Sequence, residues 1–102
     1  MIVLVARYKM PPSRRPEVEA ALAKMAAQVH ETEPGCRLYQ VSRSTEDAGL
    51  LLLYEHYEDE AALLAHREPP HFREIVEGAI LPLLHQRQRE VFELVLGWHR
   101  IG

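Results

Sequence analysis

Leu50-Leu51-Leu52-Leu53-Tyr54-Glu55-His56-Tyr57 is an apolar run with a single carboxylate in it. Successive side chains of a strand point to opposite faces, so its four leucines divide two and two. A strand that is apolar on both sides needs cover on both sides. Thr45-Glu46-Asp47-Ala48-Gly49, just upstream, is a short polar turn of hairpin length. Before that turn, Leu38, Gln40 and Ser42 alternate with Tyr39, Val41 and Arg43, which predicts a strand over roughly 36–44. A β-hairpin therefore occupies the middle of the chain.

Helical patterns flank the hairpin, and a further strand lies beyond each. Residues 2–9 are β-branched and apolar and stop at Pro11-Pro12-Ser13. Ser13 is placed to cap the next segment, with Pro16 and Glu17 in its first turn. Val18, Leu22, Met25 and Val29 recur at helical spacing until Glu33-Pro34-Gly35. On the other side, Glu58-Asp59-Glu60 set acids where a helix N-terminus favours them. Ala62, Leu63 and His66 follow, and Pro69-Pro70 interrupts. Phe72, Ile75, Val76 and Ala79 resume the helical period until Pro82. Phe92, Leu94, Leu96 and Trp98 predict a last strand over about 89–98, with Arg87-Gln88-Arg89 as a solvated run before it.

The order β-α-β-β-α-β specifies an α+β, ferredoxin-like domain with a four-stranded antiparallel sheet. Right-handed crossovers leave both helices on one face. The other face, lined by half of the leucines, lacks a cover within the chain. A homodimer through that sheet face supplies one, since so large an exposed patch is unusual for a monomer. Trp98 is expected in the dimer contact.

Composition narrows the function classes. The 102 residues suit one domain spanning 1–102, and 47% hydrophobic content is that of a globular chain. A net charge of -3 argues against nucleic acid as a partner. Cys36 is the only cysteine, so neither an intrachain disulfide nor a four-thiolate metal site can form within the chain. Ile2 to Ala6 is too short for a signal peptide core, and no stretch approaches a membrane span. The expectation is a cytoplasmic protein without a membrane partner.

Three stretches carry a resemblance: E-P-G-C-R-L-Y over Glu33–Tyr39, L-Y-E-H-Y-E-D-E-A-A-L-L-A-H over Leu53–His66, and P-H-F over Pro70–Phe72. In order and spacing the chain resembles the antibiotic biosynthesis monooxygenase family of the dimeric α/β-barrel superfamily. The resemblance implies a dimeric α/β barrel with one pocket per protomer between sheet and second helix. It also implies an activity from a set that includes cofactor-independent oxygenases of quinols and polyphenols, heme-degrading enzymes and an isomerase. The heme-degrading relatives use an Asn, a Trp and a heme-ligating His. This chain has no Asn, and His66 and Val76 fall near the places of the other two. Where relatives read Ser-Pro before the His/Phe pair, this chain reads Pro69-Pro70, which removes a capping hydroxyl.

A cofactor-free oxygenase must make its substrate electron-rich by removing a proton. It needs a base near neutral pKa, a group to hold the oxyanion, and a dry cavity. His66, His71 and Glu55 are the expected catalytic candidates; Tyr39, Phe72 and Arg7 are the expected substrate-binding ones. In an unbroken helix His66 and His71 would lie about 140° apart, a separation the Pro69-Pro70 break can undo. Each candidate also has a structural reading: exposed histidines at a helix end, Phe72 in the core, a Glu55–Arg7 ion pair, a buried Tyr39 bonded to backbone. The resemblance to cofactor-independent oxygenases implies no cofactor, and no metal is expected, since no pair among His56, His66 and His71 has the spacing of H-E-x-x-H. The alternatives are an isomerase on the same framework and a non-catalytic dimer that binds a small ligand.

Overall fold

The computed structural model describes residues 1–100. Four strands, β1 (Ile2–Lys9), β2 (Cys36–Arg43), β3 (Leu50–Tyr57) and β4 (Gln86–Glu93), form one sheet in the order β2-β3-β1-β4. Every neighbouring pair is antiparallel, as the ferredoxin-like reading requires. The two central strands are the two most apolar ones. On β3, Leu51 and Leu53 are buried on one face, while Leu50 and Leu52 lie half-buried on the other.

Helix α1 (Arg15–Thr32) covers the first face with Val18, Leu22, Met25 and Val29, all buried. Its start differs from expectation. Pro12–Arg14 forms a single 3-10 turn, and Arg14 occupies the cap position without a side-chain cap. Ser13 therefore does not cap the helix, because the tight turn draws it inside the helical winding. The second helical region divides in two: α2 (Glu60–Ala65) and α3 (Phe72–Ile80), the latter wound with π-type hydrogen bonds. Asp59 starts α2 by accepting the Ala62 N–H at 2.8 Å. Pro69-Pro70 separates the two, since proline has no N–H to continue the ladder. Phe72, Val76 and Ile80 bury one face of α3.

The largest correction concerns the last strand. It spans Gln86–Glu93, three residues earlier at its start than the apolar alternation indicated, and Leu94, Leu96 and Trp98 lie beyond it. Its limits follow from β1, which it pairs residue for residue from Ile2↔Glu93 to Lys9↔Gln86. Backbone bonds from His85 N–H to Lys9 O (2.7 Å) and from Leu94 N–H to Met1 O (2.9 Å) close its two ends. β4 is an exposed edge strand, so no burial pattern marks its residues. Arg87, Gln88 and Arg89 are thus part of the sheet.

Hairpin register depends on one close approach. A Cβ on Gly49 would stand 2.2 Å from the Met10 carbonyl oxygen. Only glycine lets the β2–β3 turn lie against the end of β1, where Met10 N–H bonds to Gly49 O at 2.8 Å.

Candidate functional site

Glu33 closes α1 as its C-cap, with its N–H bonded to Val29 O at 2.9 Å. A carboxylate is poorly placed there with respect to the helix dipole. Its partners account for the position: Oε1 lies 2.7 Å from His66 Nδ1 and Oε2 lies 2.5 Å from His71 Nε2. His66 ends α2 and His71 begins α3, so the Pro69-Pro70 break turns both rings toward one carboxylate. Gly35, two residues beyond Glu33, allows this. A Cβ there would meet Ala62 Cβ at 2.7 Å and hold α2 away.

The chain of polar groups continues inward. His66 Nε2 lies 3.9 Å from Glu55 Oε1, beyond direct hydrogen-bond range. Tyr57 donates its hydroxyl to the same Glu55 oxygen at 2.5 Å. Glu55 is 2% exposed, His66 5% and His71 9%, so five ionisable side chains run inward from the half-buried Glu33 to the core. Aromatic rings wall His66 in: Phe72 edge-on at 5.2 Å, Tyr57 at 5.4 Å and Tyr39 at 6.5 Å between centroids.

The two carboxyls are driven apart electrostatically. Burial pushes Glu33 up, but hydrogen bonds from His66 and His71, with their charge, outweigh it and hold Glu33 below the ordinary carboxylate range. Burial pushes Glu55 above that range, only partly opposed by the Tyr57 hydroxyl and His66. An ionised Glu33 can only accept hydrogen bonds, so each ring nitrogen facing it carries a proton. His66 is thereby fixed with Nδ1–H toward Glu33 and, when neutral, a free lone pair on Nε2 toward Glu55. Burial, reinforced by the charge of Glu55, raises the phenols of Tyr39 and Tyr57, which stay hydrogen-bond donors. The Cys36 thiol is pushed up to about 11 by burial and Glu55 and is no nucleophile at neutral pH.

His66 and Glu55 open on one cleft between the sheet and the α2–α3 segment, with Leu4, Tyr8, Tyr39, Leu53, Phe72 and Val76 in its walls. It holds about 20 Å³ of open space, room for about one water. Arg67, Arg87 and Arg89 also border it. A wider groove of about 380 Å³ between α1 and β2 shares only Tyr39 with this region, and its two charged residues, Glu19 and Arg43, are paired with each other. The buried polar chain opens on the smaller cleft, which makes that cleft the candidate site. Among the described residues, no group of three His, Cys, Asp or Glu side chains is arranged to hold a metal ion.

Of the residues singled out from sequence, His66, Glu55, Tyr39 and Phe72 converge on the cleft. His71 stands behind Glu33 and faces an outer groove. Arg7 does not join them and does not pair with Glu55. It pairs in register with Leu52 and Gln88 on the opposite face of the sheet and lies 3.9 Å from Glu90. Odd-numbered side chains of β1 face away from the helices, whereas Glu55, opposite Leu4, faces them. Glu33, Arg87 and Arg89 escaped the sequence reading. The signals were present: an acid at a helix C-terminus, and two arginines spaced by one residue.

Residues 1–78 match the family model described as Antibiotic biosynthesis monooxygenase. Rv0793 of Mycobacterium tuberculosis, a protein named as a monooxygenase, is 35% identical over 71 residues, covering 70% of this chain and 68% of its own length. The Rv0793 structure superposes with a TM-score of 0.84 over 94% of this chain and 96% of that one, at 28% identity. A Caulobacter crescentus structure carrying the same family description gives 0.87 at 30% identity, over 93% and 90%. A Deinococcus radiodurans structure, 20% identical, covers 100% of both chains at 0.84 and speaks to the fold.

The lowered Glu33 carboxyl has a definite pH signature. Its folded value lies below the unfolded one, so its stabilisation is present above the unfolded carboxylate range and is lost as pH falls through the folded value. Glu33→Gln is expected to lose about 1–3 kcal/mol at pH 7. The gap from the parent should narrow in acid, as the parent's Glu33 takes up its proton. Urea unfolding of both proteins at neutral pH and at successively lower pH checks this; a gap independent of pH contradicts it.

Proposed function

This chain belongs to the antibiotic biosynthesis monooxygenase family, and we propose that it is a small cofactor-independent monooxygenase of a quinol- or polyphenol-type substrate. The reading is supported above all by the approach of His66 Nε2 and Glu55 Oε1, 3.9 Å apart in a cleft with aromatic and aliphatic walls. A substrate hydroxyl set beside that line reaches both atoms. His66 Nε2 takes its proton while Glu33 holds the other side of the ring, and Glu55 orients the hydroxyl. His71 acts through Glu33 as a positioning residue.

The electrons come from the substrate. The anion left by deprotonation bonds to O2 through its electron-rich ring carbon and forms a peroxide. His66 returns its proton to the peroxide, and the hydroperoxide loses water and leaves a carbonyl. The two hydrogens lost are those of an anthrone CH2, or the ring C–H and the hydroxyl hydrogen of a quinol, and with O2 they give C=O and H2O. The Tyr39 phenol, in the cleft wall, serves as donor to the developing oxyanion, and the aromatic walls exclude bulk water. A ring enters only if Phe72 and the short α2 segment move off the sheet, since the closed cleft is water-sized.

A second copy belongs to the same reading. Val5, Leu50, Leu52, Tyr54 and Phe92 share the sheet face away from the helices, and Phe92 is 48% exposed. Val95, Leu96 and Trp98 are also exposed at the adjoining end of the chain. A two-fold contact through this face gives those side chains a cover and leaves each cleft on the outer, helical side.

The metal-free protein should consume oxygen with 1,4-dihydroxynaphthalene or a hydroxylated anthrone. His66→Ala should slow uptake by at least about 100-fold, and His71→Ala by less. An oxygen electrode reads both; uptake equal in parent and His66→Ala would sink the assignment. Sedimentation equilibrium should give twice the 11.8 kDa protomer mass, and Leu52→Glu should shift it toward one protomer. A monomeric parent excludes the pairing.

A further inference from the structure

We propose that the substrate carries its own anionic oxygen group, a carboxylate or a phosphate, gripped by Arg67, Arg87 and Arg89 at the mouth of the cleft. This rests on reading the cleft as the substrate site and adds a chemical class to it.

Arg87 and Arg89 alternate on β4 and so project from the same face of the sheet. Their register partners Tyr8 and Ala6 are both buried under the helices. Arg67 approaches from the other side, in the residue after His66, and all three border the one cleft. Arg7, Arg14, Arg15, Arg37 and Arg43 each lie against a carboxylate. Among the described residues, Arg67, Arg87 and Arg89 meet none within ion-pair distance; Arg73 and Arg100 also meet none but do not border the cleft. The Arg87 guanidinium stands 6.0 Å over the Tyr8 ring, which gives it a fixed platform. Burial and the charges of Arg67 and Arg87 hold the Arg89 guanidinium below its ordinary value. Three like charges converging on one opening leave a place for an anion, and guanidinium forks suit carboxylate and phosphate oxygens.

The register also sets a span. Glu55 and Arg89 lie on strands either side of β1, one at Leu4 and the other at Ala6. Two strand spacings amount to roughly 10 Å, which sets the scale of the substrate between them. The anion would thus sit at one end of an aromatic substrate whose reactive hydroxyl lies at the other. Because Arg67 adjoins His66, gripping the anion also draws the α2 end down over the ring.

Anaerobic calorimetry with 1,4-dihydroxy-2-naphthoate and its neutral parent 1,4-dihydroxynaphthalene tests this without turnover. The naphthoate should bind about ten- to a hundredfold tighter, the range of hydrogen bonds to charged groups. Arg87→Gln/Arg89→Gln should abolish the preference, while Arg14→Gln keeps the preference and leaves binding of the neutral compound within about twofold. Displacement of the naphthoate by inorganic phosphate at fixed ionic strength would assign the grip to a phosphate ester; resistance to displacement would assign it to a carboxylate. Equal affinity for both compounds, no binding of the naphthoate, or a preference that survives in the double variant overturns the proposal. Oxygen uptake with the neutral quinol is read separately. A failed oxygenase with an intact charge preference, and the converse, are therefore distinguishable.

Discussion

One carboxylate holds the functional half of this molecule together. Glu33 accepts from His66 on one oxygen and from His71 on the other, and so ties the end of α1 to both sides of a proline-broken segment. Without it, α2 is six residues long and rests on the sheet mainly through Leu63. A buried carboxylate hydrogen-bonded on both oxygens is stable, whereas one left unpaired costs several kcal/mol. The segment therefore closes over the sheet in one register, with His66 facing Glu55.

The pairing also separates two chemical duties by environment. Glu33, surrounded by donors, is kept ionised; Glu55, in an apolar strand with one phenol as donor, has its ionisation disfavoured. Carboxyls driven in opposite directions around one histidine form an acid–base arrangement. The sheet divides other duties by face: odd and even positions of β1 point to opposite sides, so apolar side chains facing away from the helices and a polar cleft beneath them coexist on eight residues.

The fold was legible because its signals are local. Leucines on both sides of β3, the Gly49 turn and the 3.6-residue period of α1 each specify one element, and connection rules then admit one topology. The last strand was misplaced because β4 is an edge: its limits come from pairing with β1, which no alternation in its own residues records. The site was half legible. Glu55 stood out as a charge in an apolar run, and the Pro69-Pro70 break showed that His66 and His71 could converge. What they converge on is distant in sequence. Glu33 lies 33 and 38 residues from its partners, and Arg87 and Arg89 reach the cleft only through the pairing of β4. Arg7 misled because apolar flanks say that a strand is buried without saying which face its one charge takes.

The account depends on the direction in which His66 presents its lone pair. Long-range ¹H–¹⁵N correlation NMR of the parent protein, at a pH where the ring is neutral, reports which nitrogen carries the proton. The account predicts a protonated Nδ1, held on Glu33, and an unprotonated Nε2 facing Glu55. A ring protonated on Nε2 would contradict it, because the cleft would then contain no histidine lone pair with which to begin the chemistry.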